Sequence, residues 1–227
     1  MLTGAGTRIL AGVGVAGAVG FLLVLDTGRP ELRLLTKALP MLCLLLWQWP
    51  PRERYARWVF AGLGLSLLGD VLLDSGPGMF LPGLGAFLLA HVSYTAAYLT
   101  VMRGLQWVRA LPFVLLAVSA SVLLWPSLGA MALPVTAYVV VICTMSWRAT
   151  ALLGASGLSH FEQRAAFAGA LLFAASDGLL AIKLFVRPLP GASYAIMLLY
   201  WAAQLSIALS ARGERTESAS VAHPLAS

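Results

Sequence analysis

Val59-Phe60-Ala61-Gly62-Leu63-Gly64-Leu65-Ser66-Leu67-Leu68-Gly69-Asp70-Val71-Leu72-Leu73 is an apolar run with one carboxylate near its end, and Ala165 to Phe185 is a second such run, broken by Asp177. Stretches of this composition read as lipid-soluble helices, because a bilayer core is crossed by about 17–25 mainly apolar residues. A carboxylate inside one costs roughly 2.5–3.5 kcal/mol on insertion scales, so it normally faces a protein interior or a wet cavity and marks a functional site. Lys37, His91, Lys183 and Gln204 occupy comparable positions.

The whole chain repeats that pattern. Its 227 residues are 60% hydrophobic and 11% charged, with a mean hydropathy of +0.87, whereas soluble domains carry about 25% charged residues. This composition specifies an all-α, polytopic membrane protein. The net charge of +6 reads as topology, since the basic residues fall in short loops without a basic stripe or aromatic interleaving, and a nucleic-acid partner is excluded on that ground. Cys43 and Cys143 lie in apolar runs, where free thiols behave as small hydrophobes and imply neither a disulfide framework nor a thiolate metal site.

Hydropathy and turn signals predict eight spans, at 7–26, 32–49, 57–74, 80–102, 109–125, 131–147, 165–185 and 193–210. Together they form one transmembrane domain over 1–211, followed by a polar tail over 212–227 that is expected to be disordered. Ile9 to Leu25 lacks a clear cleavage site and is kept as the first span. The breaks are turn compositions such as Pro50-Pro51-Arg52, Ser75-Gly76-Pro77-Gly78, Trp125-Pro126 and Pro188-Leu189-Pro190-Gly191. With eight spans, one side receives Arg8, Arg52, Arg54, Arg57, Arg103, Arg109, Arg148, Arg164, Arg212 and Arg215, and the other far fewer. The positive-inside rule then puts both termini in the cytoplasm.

A faint internal repeat links Leu68-Gly69-Asp70-Val71-Leu72-Leu73 in the third span with Ala175-Ser176-Asp177-Gly178-Leu179-Leu180 in the seventh, and His91 and Tyr94 with Tyr200 and Gln204. It suggests two parallel four-helix halves with a site at their interface. Counting 1.5 Å per residue, Asp70 and Asp177 lie about 20 Å up from the cytoplasmic side, while Lys37, His91 and Gln204 are met in roughly the first 8–17 Å from the other. All five share a depth, so one polar cavity is the economical expectation. Three- and four-residue spacing puts Ser66, Asp70 and Asp74 on one face, His91 and Tyr94 on another, and Tyr200 and Gln204 on a third. Lys183 falls off the Asp177 face and is expected to snorkel to the interface; Asp74, beside Ser75-Gly76-Pro77, reads as a solvated helix terminus.

The residue set restricts the chemistry. A catalytic zinc normally takes three protein ligands, and the chain has only His91, His160 and His223, with His160 in a cytoplasmic-side loop and His223 in the tail. No metal or other cofactor is expected. Ser66 or Ser176 allows a Ser-His-Asp arrangement, but there is no Gly-x-Ser-x-Gly elbow. Two buried Asp residues in unlike surroundings can hold different protonation states, one a general acid and the other a base or cation stabiliser, which suits hydrolysis through an oxocarbenium-like state. Two other classes stay open: a transporter binding protons or cations at midplane carboxylates, and a scaffold whose polar residues only hold helices together.

The same residues carry a family resemblance. Ser66 to Leu73 followed by Phe80, Gly83, Phe87, His91 and Tyr94, then Gly169 to Ser176-Asp177, then Tyr200-Trp201-Ala202-Ala203-Gln204, resemble in order the lysoplasmalogenase or YhhN-like integral membrane proteins. Lys37-Ala38-Leu39-Pro40 is similar to that family's Lys-Pro segment, with Ala38 where Pro is usual. The resemblance implies hydrolysis of the vinyl ether bond of a lysoplasmalogen, in a multi-pass protein expected in a bacterial inner membrane. It also implies that Asp70 and Asp177 are catalytic, that Lys37, His91, Tyr94, Tyr200 and Gln204 orient substrate, and that the partners are a lysophospholipid and membrane lipid.

Overall fold

The computed structural model describes residues 4–212, so the expected tail beyond Arg212 lies outside the described residues. Eight α-helices follow one another: α1 (Gly4–Val24), α2 (Pro30–Gln48), α3 (Arg54–Asp74), α4 (Phe80–Val101), α5 (Trp107–Leu128), α6 (Ala132–Ala151), α7 (His160–Ala181) and α8 (Ala192–Leu209). Short 3-10 turns at Pro77–Met79 and Gly129–Met131 precede α4 and α6, and α7 runs into a π-helical turn, Ile182–Val186. The described residues contain no strand.

Six helical segments are long and apolar enough to cross a membrane. One of them, Trp107–Ala151, is 45 residues long and contains both α5 and α6. These two helices fold back on each other, since Arg109 at the start of α5 donates to the carbonyls of Thr150 and Leu153 at the end of α6 (2.8 and 2.9 Å). The reversal falls at Gly129, whose φ of 50° favours a residue without a Cβ. The helix outside the six is α2, which carries Glu31, Arg33 and Lys37 in its first half.

Contacts at the helix ends show that the direction alternates. At one end, Gln48 at the close of α2 donates to the carbonyl of Ala208 in α8 (2.5 Å), and Tyr55 at the start of α3 bonds Ser210 just past α8 (2.8 Å). Arg148 in the last turn of α6 donates to the carbonyls of Met102 and Gly104 beyond α4. At the opposite end, Tyr194 of α8 donates to Asp26 after α1 (2.8 Å), and Arg33 of α2 bonds Asp74 at the end of α3.

Helix pairs close up where the sequence supplies small residues. A Cβ at Gly62 would lie 2.3 Å from the Tyr94 ring, and one at Gly69 would lie 2.6 Å from Phe87. The aromatic rings of α4 therefore lie directly on the backbone of α3, the close approach that small residues permit between membrane helices. Phe173 of α7 stands at the centre of the core, edge-on to His91, Phe87 and Tyr200 with ring centroids 4.6, 6.2 and 5.5 Å away.

Two boundaries differ from expectation for local reasons. The seventh helix begins at His160, not 165, because Ser159 and Glu162 form a capping box: the Ser159 hydroxyl accepts from the Glu162 N–H, and the Glu162 carboxylate accepts from the Ser159 N–H. His160 is thus in the first turn of a helix and not in a loop. Pro126, expected as a break, lies inside α5, which closes at Leu128; so near the helix end, the N–H that proline lacks interrupts only the last turn.

Candidate active site

A cavity of about 650 Å³ is lined by residues from all eight helices, α1 contributing Phe21 and α4 contributing Phe80, Leu84 and Phe87. Most of its wall is hydrocarbon, from Leu116 and Leu123 of α5, Val135 and Ile142 of α6, and Leu180 and Phe185 on and after α7. Into this apolar space project Arg33, Lys37, Asp70, Asp74, Tyr138, Ser176, Asp177, Lys183, Ser193 and Tyr200.

The first acid belongs to an ion-pair ladder. Arg33 and Lys37 are four residues apart on α2, Asp70 and Asp74 four apart on α3, so each pair shares a helix face. Lys37 Nζ lies 3.1 Å from Asp70 Oδ1 and 3.4 Å from Asp74 Oδ2, and Arg33 Nη2 lies 3.2 Å from Asp74 Oδ1. Tyr200 of α8 donates to Asp70 Oδ2 at 2.6 Å. Asp74 is therefore not a solvated terminus; its side chain is 16% exposed and holds two cations. Ala38 follows Lys37 where the related pattern has Pro, yet Lys37 still reaches Asp70.

The second acid has different company. Tyr138 of α6 donates to Asp177 Oδ2, and His91 Nε2 stands 3.9 Å from the same oxygen. Among the described residues no Lys or Arg comes within 4.0 Å of Asp177. Neither nitrogen of His91, a fully buried side chain, has a hydrogen-bond partner among the described residues.

Several expected site residues sit behind the acids and not on the cavity wall. His91, Tyr94, Gln204 and Ser66 are absent from the lining and have no exposed surface. Tyr94 donates to Gln204 Oε1 at 2.7 Å, with Ser66 Oγ 3.4 Å from the Tyr94 hydroxyl. Ser176 lines the cavity, but its hydroxyl donates to the Ile196 carbonyl of α8 at 2.9 Å, an interhelical bond. Lys183, expected to snorkel outward, also lines the cavity and donates to Ser193 Oγ at 2.5 Å. Among the described residues no three His, Cys, Asp or Glu side chains gather as a metal site.

The contacts cross between the segments that repeat in sequence. Asp70 on α3 is bonded by Tyr200 of α8, Asp177 on α7 is approached by His91 of α4, and Tyr94 of α4 bonds Gln204 of α8. Sequence reasoning missed Tyr138 and Arg33. Tyr138 is a lone phenol in the apolar middle of α6, a visible signal in a span otherwise almost featureless. Arg33, one turn into α2, is four residues before Lys37, the same spacing as Asp70 and Asp74 on α3.

The YhhN family model matches residues 32–211, from the start of α2 to the end of α8. The chain belongs to the YhhN family. Curated relatives agree along most of the length: lysoplasmalogenase TMEM86B of Homo sapiens is 39% identical over 183 residues, 78% of this chain and 74% of the relative. Lysoplasmalogenase TMEM86A of Bos taurus is 36% identical over 206 residues, 86% and 85% of the two chains. A lysoplasmalogenase of Mycobacterium tuberculosis is 34% identical over 166 residues, 69% of this chain and 61% of the relative. No solved structure matches. Both acids, Lys37 and Tyr138 lie within the stretch that matches the YhhN family.

Proposed function

We propose that this YhhN-family protein hydrolyses the vinyl ether bond of a lysoplasmalogen, releasing a fatty aldehyde and a glycerophospho-base. The observation that carries the reading is that Asp70 and Asp177, 107 positions apart in the chain, line one mainly apolar cavity in unlike surroundings. The relatives' names supply the substrate class, and the cavity's hydrocarbon wall suits an alkenyl chain.

The chemistry needs one acid and one anion. Protonation of the vinyl carbon distal to oxygen makes an oxocarbenium ion, which water captures as a hemiacetal; collapse of the hemiacetal gives aldehyde and alcohol. Asp177, without a contacting ammonium or guanidinium group, takes the acid's role. Asp70, against Lys37, takes the carboxylate's role, stabilising the cation and drawing a proton from the attacking water. Tyr138 and Tyr200 hold the two carboxyl groups by one hydrogen bond each, and His91, Tyr94 and Gln204 support them from behind. The test is direct: purified protein incubated with lysoplasmenylethanolamine releases fatty aldehyde. Protein that is folded and releases none overturns the reading.

We also read all eight helices of residues 1–211 as spans of a cytoplasmic or plasma membrane, with both termini and the 212–227 tail in the cytoplasm. Supporting this, the end that holds the close of α2, α4, α6 and α8 also gathers Arg52, Arg54, Arg57, Arg103, Arg109 and Arg164. Single cysteines at the exposed positions 52, 57 and 103 should react with an impermeant maleimide only after the cell is opened. Labelling of any of them in intact cells would reverse the orientation.

A further inference from the structure

We infer that Lys183 and Arg33 form the subsite for the phosphodiester of the lysophospholipid at one rim of the cavity. The inference rests on the lysoplasmalogen reading and adds to it the residues that select a phospholipid over a neutral ether lipid.

Position comes first. Ile182, Lys183, Leu184 and Phe185 all line the cavity. Four consecutive residues can do so where the backbone passes along a rim, and here it does so in the π-helical turn after α7. Such turns recur at functional sites. Phe185 packs edge-on against Phe80 at the start of α4, with centroids 6.1 Å apart. Asp74, at the end of α3 and only six residues before Phe80, binds Arg33. Lys183 and Arg33 therefore stand at the same end of the bundle, both on the cavity wall.

Charge comes second. In the ladder, Asp70 and Asp74 balance Lys37 and Arg33, so that group is neutral as a unit. Lys37 is 7% exposed and spent on two carboxylates. Lys183 is different: among the described residues no carboxylate lies within 4.0 Å of it, and its partner is the neutral hydroxyl of Ser193. Arg33 is 37% exposed in its side chain and has a buried Nε with no hydrogen-bond partner among the described residues. An ammonium group without a counter-ion and, on the same cavity wall, a guanidinium group whose side chain is 37% exposed can both donate to phosphate oxygens.

Length comes third. Six residues separate Asp177 from Lys183, about 9 Å along the helix at 1.5 Å per residue. In a lysoplasmalogen, five covalent bonds join the ether oxygen to phosphorus, about 6 Å, and a charge-assisted hydrogen bond adds about 2.8 Å. A phosphodiester held by Lys183 thus leaves the vinyl ether beside Asp177.

The test compares lysoplasmenylethanolamine with the 1-alkenylglycerol of the same chain, which lacks the phosphate, on the full-length protein in detergent micelles. Lys183→Met should lower the ratio of kcat/KM for the phospholipid over the alkenylglycerol about tenfold, through KM, while Lys183→Arg keeps it within about threefold of wild type. The wild-type ratio should itself fall as ionic strength rises from about 0.05 to about 0.5 M, a reading that needs no variant to fold. A salt-insensitive wild-type ratio, or a folded Lys183→Met protein with the wild-type ratio, overturns the subsite while aldehyde release leaves the hydrolase reading standing. Wild-type protein that releases aldehyde from neither lipid overturns both.

Discussion

Asp177→Asn lowers kcat for lysoplasmenylethanolamine by at least about 10³-fold, and Asp70→Asn does so by about the same factor. General acid–base catalysis contributes about 10²–10⁴ in rate, and protonation of a vinyl carbon needs a donor whose proton is labile, which an amide is not. Both substitutions preserve shape. An Asn at 177 still accepts from Tyr138 through its carbonyl oxygen, and an Asn at 70 leaves Lys37 paired with Asp74. The expected pattern is therefore a folded, inactive protein, read as aldehyde release alongside melting temperature. Tyr138→Phe is the graded companion: it removes only the bond that orients the Asp177 carboxyl, and kcat should fall about tenfold with KM little changed. The double variant Asp70→Asn/Asp177→Asn should be little worse than either single one, because proton delivery by Asp177 and stabilisation of the forming cation by Asp70 act on the same transition state. A folded Asp177→Asn protein with full turnover sinks the two-carboxylate mechanism.

Helix positions were legible because the code for them is one-dimensional. An apolar run of bilayer length, closed by Pro-Gly or Pro-Pro turns, gives the same answer whatever it packs against, and the helices begin and end within a few residues of expectation apart from α7. That start was also written locally, as Ser159-His160-Phe161-Glu162, but the cap is polar and a hydropathy reading passes over it. Asp70, Asp177, Lys37, His91 and Gln204 were legible as polar residues sharing a depth, since depth follows from counting along each helix; Asp74, at a helix end beside turn residues, was not. Which of them faces a cavity and which lies behind it depends on helix rotation and partner choice. Tyr94, Gln204 and His91 share the depth but turn into the aromatic packing around Phe173. Tyr138 illustrates the converse: its helix has no other polar landmark at that level, and only the fold brings it to Asp177.

Lys37→Met should destabilise the protein by about 3–5 kcal/mol, the cost of leaving a buried charge without its partner. Methionine is unbranched and only one heavy atom shorter, so it fills most of the same space and the loss comes mainly from electrostatics. Asp70, 3% exposed, would keep only the Tyr200 hydroxyl, and Asp74 would keep only Arg33. Arg33→Gln, on the outer and more exposed rung, should cost about 1 kcal/mol or less. Lys37→Met/Asp70→Asn is the informative combination. Removing the unbalanced charge should return a large part of the lost stability, a coupling of a few kcal/mol between the two positions, while activity stays absent because the carboxylate is gone. Stability and turnover would then separate: the double variant recovers the first without the second. That separation is what an ion pair organising a catalytic carboxylate requires, whereas a purely structural pair gives recovery of both. A Lys37→Met protein as stable and as active as wild type would show that Asp70 is held and balanced by something other than α2.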